Sequence, residues 1–326
     1  MTSLLLTGAS GFIGRQLVPR LVKAYPGSRI TAASGPGRAA TAPEGVVPVS
    51  VDLEDAQATL DMVRQAEPDL VIHLAAQSSV ADSINSPWPV WRGNVFGTVN
   101  LAEAVKTVRP DANFVFASTA EVYGRAFSDG RTLDETSPLA PANPYARSKA
   151  ACEYALQDLW SPEGKLVILR IFNHIGAGQD ERFVASTFAA QIARMEAAQA
   201  PLVMKVGDLS VERDFGDVRD LIDAIVATVA SLDRLPSRNT FNVCTARPRP
   251  VQAILDGLLA QATVVPQVEI DPGRLRPGEL RRVAASNDAI SLATGWRPSR
   301  DLGDTLSILL NDWRNRVAAR SDLAGA

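Results

Sequence analysis

The sequence has few of the residues that build metal sites, disulfide frameworks or nucleic-acid-binding surfaces. Its 326 residues include two histidines, His73 and His174, and two cysteines, Cys152 and Cys244. So few ligands disfavour a His-rich metal site, and two isolated cysteines are typical of buried thiols in a reducing compartment. The formal net charge is −3 and no basic run occurs, so a nucleic-acid partner is not expected.

Long hydrophobic runs are missing as well. No stretch of the sequence approaches the ~20 apolar residues of a membrane span. The N-terminal residues lack a positive flank and lead directly into a glycine-rich turn, which indicates a first β-strand and not a signal peptide. We therefore expect a cytoplasmic protein without a membrane partner. With 46% hydrophobic and 21% charged residues, the composition suits one large or two smaller globular domains.

Short apolar segments alternate with amphipathic segments in the first half of the chain. Predicted strands lie at 4–6, 30–33, 46–51, 70–74, 114–118 and 167–172. Predicted helices lie at 56–66 and 95–108, and another follows the first strand, where Ile13, Leu17 and Leu21 recur every four residues. This alternation predicts an α/β fold of the Rossmann type, with a doubly wound parallel sheet covered on both faces.

The pattern becomes irregular after Asn173. Helices are predicted at 183–197 and 217–229, a short strand at 241–243, and a final helix after Pro298. We expect a dinucleotide-binding domain at 1–172, to which segments near 217–245 return. A smaller C-terminal α/β substrate-binding domain is expected at 173–326.

A glycine-rich turn joins the first strand to the first helix. Gly8, Gly11 and Gly14 follow a strand and open a helix, which is the context that the dinucleotide-binding fingerprint requires. The first glycine allows a tight turn, the second lets the backbone approach a pyrophosphate, and the third lets the helix pack on the strand. Backbone N–H groups and the helix dipole would then hold the phosphates.

The acidic residue that binds the ribose 2′-hydroxyl of NAD in this fingerprint is missing about 20 residues further on. The second strand instead ends at Ser34 and Gly35, and Arg38 follows. Arg38 is interpreted either as a partner for the 2′-phosphate, which favours NADPH over NADH, or as a solvated loop charge. Asp52, after the third strand, is either a partner for the adenine amino group or a turn-capping residue.

Tyr145 and Lys149 lie four residues apart in a predicted helix, so their side chains share one face. A phenol normally titrates near ~10. An ammonium ~4 Å away is worth roughly 4 kcal/mol at an effective dielectric of ~20. By the conversion of 1.36 kcal/mol per unit, that would lower the phenol pKa by about three units. The pair would then exchange a proton with a substrate oxygen near neutral pH, although the spacing alone is also typical of a solvated pair.

Thr119 lies at the carboxyl end of the strand predicted at 114–118, where open α/β sheets place their chemistry. With the glycine turn before it and Tyr145 and Lys149 after it, the chain resembles an extended short-chain dehydrogenase/reductase nearly end to end. Two further segments match that superfamily: His73-Leu74-Ala75-Ala76-Gln77 and Asn94-Val95-Phe96-Gly97-Thr98.

The resemblance implies an enzyme that uses NADPH or NADH. The counterpart of Tyr145 is the acid/base, that of Thr119 hydrogen-bonds the reacting oxygen, and that of Lys149 lowers the tyrosine pKa and binds the nicotinamide ribose. Ser118 is either a neighbour with a lesser role or a simple strand-end serine. The residues expected to contact the cofactor are Tyr145, Lys149, Gly8, Ser10, Gly11, Phe12, Ile13, Gly14, Arg38, Asp52, Leu53, Leu74, Ala75 and Ala76.

The second half resembles the nucleotide-sugar branch of the superfamily. The resemblance lies in the segments 172–176, 210–215, 241–244 and 271–279. It is greatest to the GDP-4-keto-6-deoxy-D-mannose reductases, which reduce the C4 ketone to give GDP-D-rhamnose. It implies that Asn173, Arg213 and Arg276 face the substrate diphosphate and that Glu279 faces the guanosine ribose. Guanidinium forks suit a diphosphate, and a carboxylate suits ribose hydroxyls.

Some of these residues have a second interpretation. Arg213 could form a surface ion pair with Asp214 or Asp217 instead of meeting a ligand. His174 is interpreted as a packed histidine and not as a catalyst.

Two related activities remain as alternatives. A GDP-mannose 4,6-dehydratase would use an acid at the position of Glu121 as base, but Ala120 cannot supply the proton donor that some relatives carry there. A nucleotide-sugar 4-epimerase would use the same Thr119, Tyr145 and Lys149. The resemblance also implies a homodimer formed through the helix that bears Tyr145.

Overall fold

The chain folds as alternating strands and helices, as its apolar periodicity predicts. The computed structural model describes residues 2–38, 42–161, 163–275 and 278–324. The strands are β1 (Ser3–Thr7), β2 (Arg29–Ser34), β3 (Val46–Ser50), β4 (Leu70–His73), β5 (Asn113–Thr119), β6 (Leu166–Ile171), β7 (Asn173–Ile175), β8 (Val203–Val206), β9 (Glu212–Arg213), β10 (Phe215–Asp217), β11 (Arg238–Val243), β12 (Arg249–Pro250) and β13 (Gln267–Ile270). The helices are α1 (Phe12–Ala24), α2 (Ala56–Ala66), α3 (Val80–Asn85), α4 (Pro87–Trp91), α5 (Gly97–Val108), α6 (Pro144–Leu159), α7 (Val184–Glu196), α8 (Val218–Ala230), α9 (Val251–Leu259), α10 (Asp288–Thr294) and α11 (Leu302–Ala324).

Seven of these strands form one parallel sheet, in the order β11-β6-β5-β4-β1-β2-β3. The predicted doubly wound parallel sheet is therefore confirmed. The strand order turns back between β1 and β4, and open α/β sheets bind ligands outside the carboxyl ends of the strands at such a point. The strand predicted at 241–243 lies within β11 and pairs with β6.

Apolar side chains of the strands alternate between the two faces of the sheet. Leu4 and Leu6 pack with α1 and α8 on one face, whereas Leu5 packs with α2, α5 and α6 on the other. Strands that are buried on both faces need continuous apolar runs, which explains why these segments are so easily found in the sequence.

A second apolar core lies among α7, α9 and α11, away from the large sheet. Its largest buried members include Phe188, Leu255, Leu309 and Trp313. Three two-stranded sheets complete this half: β7 with β10, β9 with β12, and β8 with β13. None of the helices in the described part of the chain combines the length and apolar character that crossing a bilayer requires.

The element bounds agree best with prediction where the periodicity is strong. Helix α2 covers 56–66 as predicted. The helix predicted at 95–108 begins at Gly97 instead, because the preceding turn, Arg92–Phe96, is a π-helix. Helices α3, α4, α9 and α10 and strands β8 and β13 were not predicted.

Candidate active site

Helix α6 carries Tyr145 and Lys149 on the face that packs against the sheet. The helix begins where the Asn143 side chain accepts a hydrogen bond from the Ala146 N–H (2.8 Å) and Pro144 occupies the first turn. Both features are typical of helix starts. Tyr145 is 8% exposed and Lys149 is 3% exposed. The two side chains therefore share one buried face, as their spacing predicts.

Thr119, the last residue of β5, contacts Tyr145. Its side chain is close enough to the Tyr145 hydroxyl to lower the pKa of that phenol. The Thr119 hydroxyl also accepts a hydrogen bond from the Glu121 N–H (3.3 Å), at the start of a short 3-10 turn. The structure thus brings two predicted site residues together at the carboxyl end of a central strand.

The pKa of Tyr145 differs from expectation in its direction. Burial raises the pKa of the phenol above its usual value; the Thr119 side chain lowers it, and the nearby Glu121 and Cys152 raise it further. Lys149 is not one of the described residues that shift this pKa. The predicted lowering by Lys149 is therefore wrong for the ligand-free protein, because desolvation disfavours the charged phenolate. The phenol stays protonated at neutral pH and can donate a proton.

The Lys149 ammonium contacts an aromatic ring beneath the site. Its Nζ lies 3.9 Å from the centroid of the Phe116 ring, an arrangement that attracts a cation. Burial lowers the pKa of Lys149 to about 8, while Cys152 and Glu153 act to raise it. Lys149 is therefore mostly protonated at pH 7 and begins to lose its charge just above that pH.

Glu121 lies at the edge of the same site. Its carboxylate is exposed and accepts a hydrogen bond from Asn143 Nδ2 (3.0 Å). The carboxylate is close enough to Tyr145 to raise its pKa. The neighbouring Ala120 is buried.

Ser118 and His174 both make buried structural contacts. The Ser118 hydroxyl donates to the Glu153 carboxylate, below the catalytic pair. His174 Nδ1 lies 2.8 Å from the Phe172 carbonyl oxygen, and burial lowers the pKa of His174 to about 4. The interpretation of His174 as a packed histidine is confirmed.

The glycine turn has the close backbone packing that its sequence predicts. An added Cβ at Gly14 would lie 2.2 Å from the Gly8 carbonyl oxygen, and one at Gly8 would lie 2.7 Å from the Ala75 nitrogen. Gly8 also has a φ of +73°, which glycine adopts without strain. Gly11 is the residue before α1 and carries no side chain that could cap the helix. The first N–H groups of α1 can therefore point at a phosphate.

The other predicted cofactor residues surround this turn. Leu74 and Ala75 pack against Gly8. Leu53 contacts Gly97 at the start of α5. Ser10, Ile13 and Phe12 are half-buried at the turn and the first turn of α1, and Ala76 is exposed. All of them follow the carboxyl ends of β1, β3 or β4, which are neighbouring or nearby strands of the sheet.

Two polar residues near the ends of β2 and β3 had alternative interpretations. Arg38 is exposed, and its N–H closes a turn with the Gly35 carbonyl oxygen (3.1 Å). Asp52 accepts a hydrogen bond from the Glu54 N–H (3.0 Å), so it caps a turn in the ligand-free protein. The Ser34 hydroxyl at the end of β2 is buried and has no hydrogen-bond partner among the described residues. A ligand oxygen would satisfy it, so the residues present fit a dinucleotide.

The predicted substrate residues lie in the second half of the molecule. Arg213 does not pair with Asp214 or Asp217: its Nη2 donates to Glu279 (3.0 Å), and its Nη1 donates to the carbonyl oxygens of Glu212 and Leu280 (2.8 Å each). The suggested surface ion pairs of Arg213 are thus replaced by a contact between two predicted substrate residues.

Two further predicted substrate residues have different outcomes. Asn173 is exposed at the start of β7, just after β6 ends. Arg276 lies outside the described residues.

Two residues beside Tyr145 and Lys149 contact the site, but no role was predicted for them. The Ser83 hydroxyl of α3 accepts a hydrogen bond from the Tyr145 N–H (3.3 Å). Asn94, in the π-helical turn, donates to Ser148 Oγ (2.9 Å) and accepts from the Gln77 N–H (2.8 Å). The segments containing Gln77 and Asn94 were recognised as motifs. No pattern in the sequence indicates that these two residues contact each other. Single π-helical turns are frequent at functional sites.

Comparison with known proteins agrees with this arrangement. Residues 4–244 match the NAD dependent epimerase/dehydratase family. The chain is 34% identical over 317 residues to a GDP-6-deoxy-D-mannose reductase of Pseudomonas aeruginosa, covering 96% of this chain and 98% of that protein. It is 31% identical over 277 residues to a UDP-glucose 4-epimerase of Rhizobium meliloti, covering 81% and 83% of the two chains.

A solved structure is similar along nearly the whole chain. RMD from Pseudomonas aeruginosa, complexed with NADPH, superposes with a TM-score of 0.84 at 32% identity, covering 97% of this chain and all (100%) of that chain. The predicted membership of the extended short-chain dehydrogenases/reductases is confirmed, and this chain belongs to the NAD dependent epimerase/dehydratase family.

Proposed function

We propose that the protein reduces the C4 ketone of GDP-4-keto-6-deoxy-D-mannose to give GDP-D-rhamnose, with NADPH or NADH as the reductant. The observation that carries the proposal is the pair of interacting side chains, Thr119 and Tyr145, at the end of a central strand. Burial raises the pKa of Tyr145, so its phenol is protonated at neutral pH and has a proton to donate to the substrate oxygen. The similarity to a GDP-6-deoxy-D-mannose reductase supports the same reaction.

The chain's own residues would perform three tasks in the reaction. When bound, the reduced nicotinamide supplies a hydride to the C4 carbon. Tyr145 donates its proton to the oxygen that becomes an alkoxide, and Thr119 hydrogen-bonds that oxygen while its charge develops. Lys149 would bind the nicotinamide ribose, and its positive charge would stabilise the phenolate that is left when Tyr145 gives up its proton.

The glycine turn and the strand ends around it would hold the cofactor. The backbone N–H groups of Phe12 and Ile13 would face the pyrophosphate, and the missing side chain at Gly11 would let it approach. The Gly11 N–H itself closes the turn on the Gly8 carbonyl oxygen (3.0 Å). Ser34 and Arg38 would meet the 2′-phosphate of NADPH. Asp52 would accept a hydrogen bond from the adenine amino group in addition to the one that it accepts from the Glu54 N–H. The remaining contacts are assigned to Ser10, Leu53, Leu74, Ala75 and Ala76.

The substrate diphosphate and ribose would bind near Arg213 and Glu279. Asn173 and Arg276 would also face the diphosphate. In the ligand-free protein, Arg213 and Glu279 are paired at 3.0 Å, and their side chains are 16% and 24% exposed. A diphosphate offers the guanidinium a stronger acceptor than a single carboxylate, and ribose hydroxyls can then donate to Glu279.

The second candidate function is GDP-mannose 4,6-dehydration, with Glu121 as the base. The observation that favours it is the position of the Glu121 carboxylate, which is exposed and close enough to Tyr145 to raise its pKa. A nucleotide-sugar 4-epimerase would need the same catalytic residues, and the 31% identity to such an enzyme keeps this alternative.

Incubation with two substrates distinguishes these functions. One reaction contains GDP-mannose alone, and the other contains its 4-keto-6-deoxy derivative with NADPH. The proposal predicts that NADPH is consumed in the second reaction and that no ketone forms in the first. Ketone formation from GDP-mannose without added reductant would favour the dehydratase, and epimerised product with unchanged cofactor would favour the epimerase.

We propose that two copies of the chain form a homodimer through the helix that bears Tyr145. Three large aromatic side chains on α4, the π-helical turn and α6 support this: Trp88, Phe96 and Tyr154 are 62%, 50% and 58% exposed. Trp88 and Phe96 contact each other edge to face at 6.3 Å. Exposed apolar clusters often mark interfaces. Sedimentation equilibrium is expected to show a dimer for the wild type and a monomer for Trp88→Glu.

A further inference from the structure

A row of polar side chains crosses the sheet just below the catalytic residues. Ser118 of β5 stands opposite Arg170 of β6, and Arg170 stands opposite Asn242 of β11, in the register of the parallel strands. The three residues are 4%, 5% and 0% exposed. Side chains at one level of neighbouring strands point to the same face of the sheet, and the contacts place that face toward α6.

Glu153 of α6 joins this row to the catalytic helix. It follows Lys149 by four residues and Tyr145 by eight, and it is 0% exposed. Its carboxylate accepts hydrogen bonds from the Ser118 hydroxyl and from Arg170, whose Nη2 lies 2.8 Å from Oε2 and whose Nε lies 3.2 Å from the same oxygen. One carboxylate therefore holds α6 against both β5 and β6.

The far side of the guanidinium is also bound. Arg170 Nη1 donates to the Tyr123 hydroxyl (2.9 Å), and that hydroxyl donates to the Asn242 side chain (2.7 Å). Tyr123 follows Thr119 by four residues, so the network contacts the chain on both sides of Thr119. Buried polar networks whose members are all satisfied specify one arrangement of the elements that they join.

The charged and titratable groups around Lys149 come from several elements. On its own helix these are Tyr145, Cys152 and Glu153, and on β4 it is His73, whose pKa Lys149 helps to lower. Glu121, after β5, acts on Tyr145. Of the groups that shift the pKa of Lys149, Glu153 is the carboxylate, and it favours the charged ammonium against burial.

We propose that Glu153 is a positioning residue for the proposed reaction: held between Ser118 and Arg170, it fixes the Tyr145 hydroxyl against Thr119 and stabilises the charge of Lys149. It does not touch the substrate or the cofactor. Its effect is exerted through the helix that it anchors and through the ammonium one turn away. The inference rests on the proposed function only where turnover is measured, and not where NADPH binding is measured.

The test compares Glu153→Gln with the wild type over a range of pH. Glutamine keeps the shape and removes the charge, so Lys149 loses its proton at a lower pH. The alkaline limb of kcat/KM is expected to move about one unit to lower pH, a typical effect of one opposite charge nearby. The dissociation constant of NADPH, measured by fluorescence without substrate, is expected to increase with pH in the variant, and this increase is expected to begin about one unit lower than in the wild type.

Two further variants separate positioning from simple stability. Removing one partner leaves the other charge buried and unpaired, whereas removing both often restores stability. Glu153→Gln combined with Arg170→Gln is therefore expected to unfold at a temperature closer to that of the wild type, yet to keep the shifted pH dependence. Glu196→Gln is the matched control, because Glu196 forms a two-pronged pair with Arg314 (2.7 and 2.8 Å) between α7 and α11. That control is expected to lower thermal stability and leave both pH profiles unchanged.

Unchanged pH profiles in a folded Glu153→Gln variant would overturn the inference and leave Glu153 a structural residue. A wild-type profile in the double variant, Glu153→Gln with Arg170→Gln, would overturn it as well. If the wild type does not reduce the GDP-linked ketone, the proposed function fails. The pH dependence of NADPH binding then still decides the role of Glu153.

Discussion

At the scale of single residues, the sequence predicts correctly that Thr119 and Tyr145 meet and predicts the direction of the Tyr145 pKa shift wrongly. Thr119 and Tyr145 are 26 residues apart in the sequence and meet in the structure, as the order of motifs predicted. The direction of the Tyr145 pKa could not be predicted, because it depends on burial and on where the Lys149 ammonium points. That ammonium contacts the Phe116 ring. The contact between Arg213 and Glu279 was likewise hidden, because 66 residues separate them.

Tyr145→Phe tests the proton donor directly. Removing the phenolic hydroxyl is expected to abolish measurable turnover, since a positioned general acid contributes about 10²–10⁴-fold. Binding of NADPH is expected to change little, because the ring and Lys149 remain. Tyr25→Phe is the control: the Tyr25 hydroxyl is buried with no partner among the described residues. Wild-type turnover in Tyr145→Phe would exclude the proposed role.

Arg213→Lys tests the predicted diphosphate site. A lysine cannot hold Glu279 and the two backbone carbonyls in the way a planar guanidinium does. KM for the nucleotide sugar is expected to rise about tenfold with kcat nearly unchanged, the pattern of lost uniform binding. Arg64→Lys, on the exposed surface of α2 beside Asp61, is the control. An unchanged KM in Arg213→Lys would remove Arg213 from the site.

At the scale of elements, a strong apolar periodicity was sufficient to predict a helix or strand, and a weak one was not. The buried strands and α2 were predicted nearly to the residue, because continuous apolar runs and a clear apolar stripe leave little choice. Helices α3 and α4 have six and five residues, too few to show a repeat, and prolines interrupt the second. Strand β13 is exposed at every position, so it has no apolar side for a pattern to reveal.

Gly8→Ala tests whether the glycine turn is built for a close approach. Gly8 and Gly27 have similar positive φ values, +73° and +80°, so alanine strains both by roughly 1–2 kcal/mol. At Gly8 the new methyl group would also lie 2.7 Å from the Ala75 nitrogen, whereas at Gly27 it meets open space among the described residues. Gly8→Ala is expected to lose NADPH affinity and more stability than Gly27→Ala, as measured by fluorescence titration and thermal unfolding. Equal losses of NADPH affinity and stability in the two variants would show that backbone strain alone accounts for the effect of replacing Gly8.

At the scale of the whole molecule, one sheet organises the site. Strand order β3-β2-β1-β4 brings the glycine turn, the predicted adenine contacts and the segment Leu74–Ala75 to one edge, and β5 adds Thr119 beside them. This order follows from the fold class that the alternation predicted. The second core around α7, α9 and α11 lies within 173–326, where the sequence predicts a smaller C-terminal domain. The division into domains at 172 and 173 remains a prediction.

The two buried histidines are expected to make the whole fold sensitive to acid. Burial lowers the pKa of His73 to about 3 and that of His174 to about 4, from 6.5 in an unfolded chain. Below pH 6.5 the unfolded state therefore binds more protons than the folded state, and stability falls as the pH falls. The loss between pH 7 and pH 5 is at most about 2 kcal/mol for each histidine.

Urea unfolding at pH 7 and pH 5 measures this effect. Comparing the wild type with His174→Gln cancels the carboxylates that titrate in the same range, such as Asp214 and Glu135, whose pKa values are raised by burial. The variant is expected to lose less stability than the wild type over this interval. Equal losses would mean that His174 is not buried neutral in solution.

Transfer of isotope from the cofactor tests the central claim most directly. NADPH carrying deuterium at both C4 positions of the nicotinamide is incubated with GDP-4-keto-6-deoxy-D-mannose, and the product is analysed by NMR. The account predicts one deuterium on C4 of the sugar for each NADPH oxidised. A product without deuterium at C4, or turnover that leaves NADPH unconsumed, would contradict the assignment as a C4 ketoreductase.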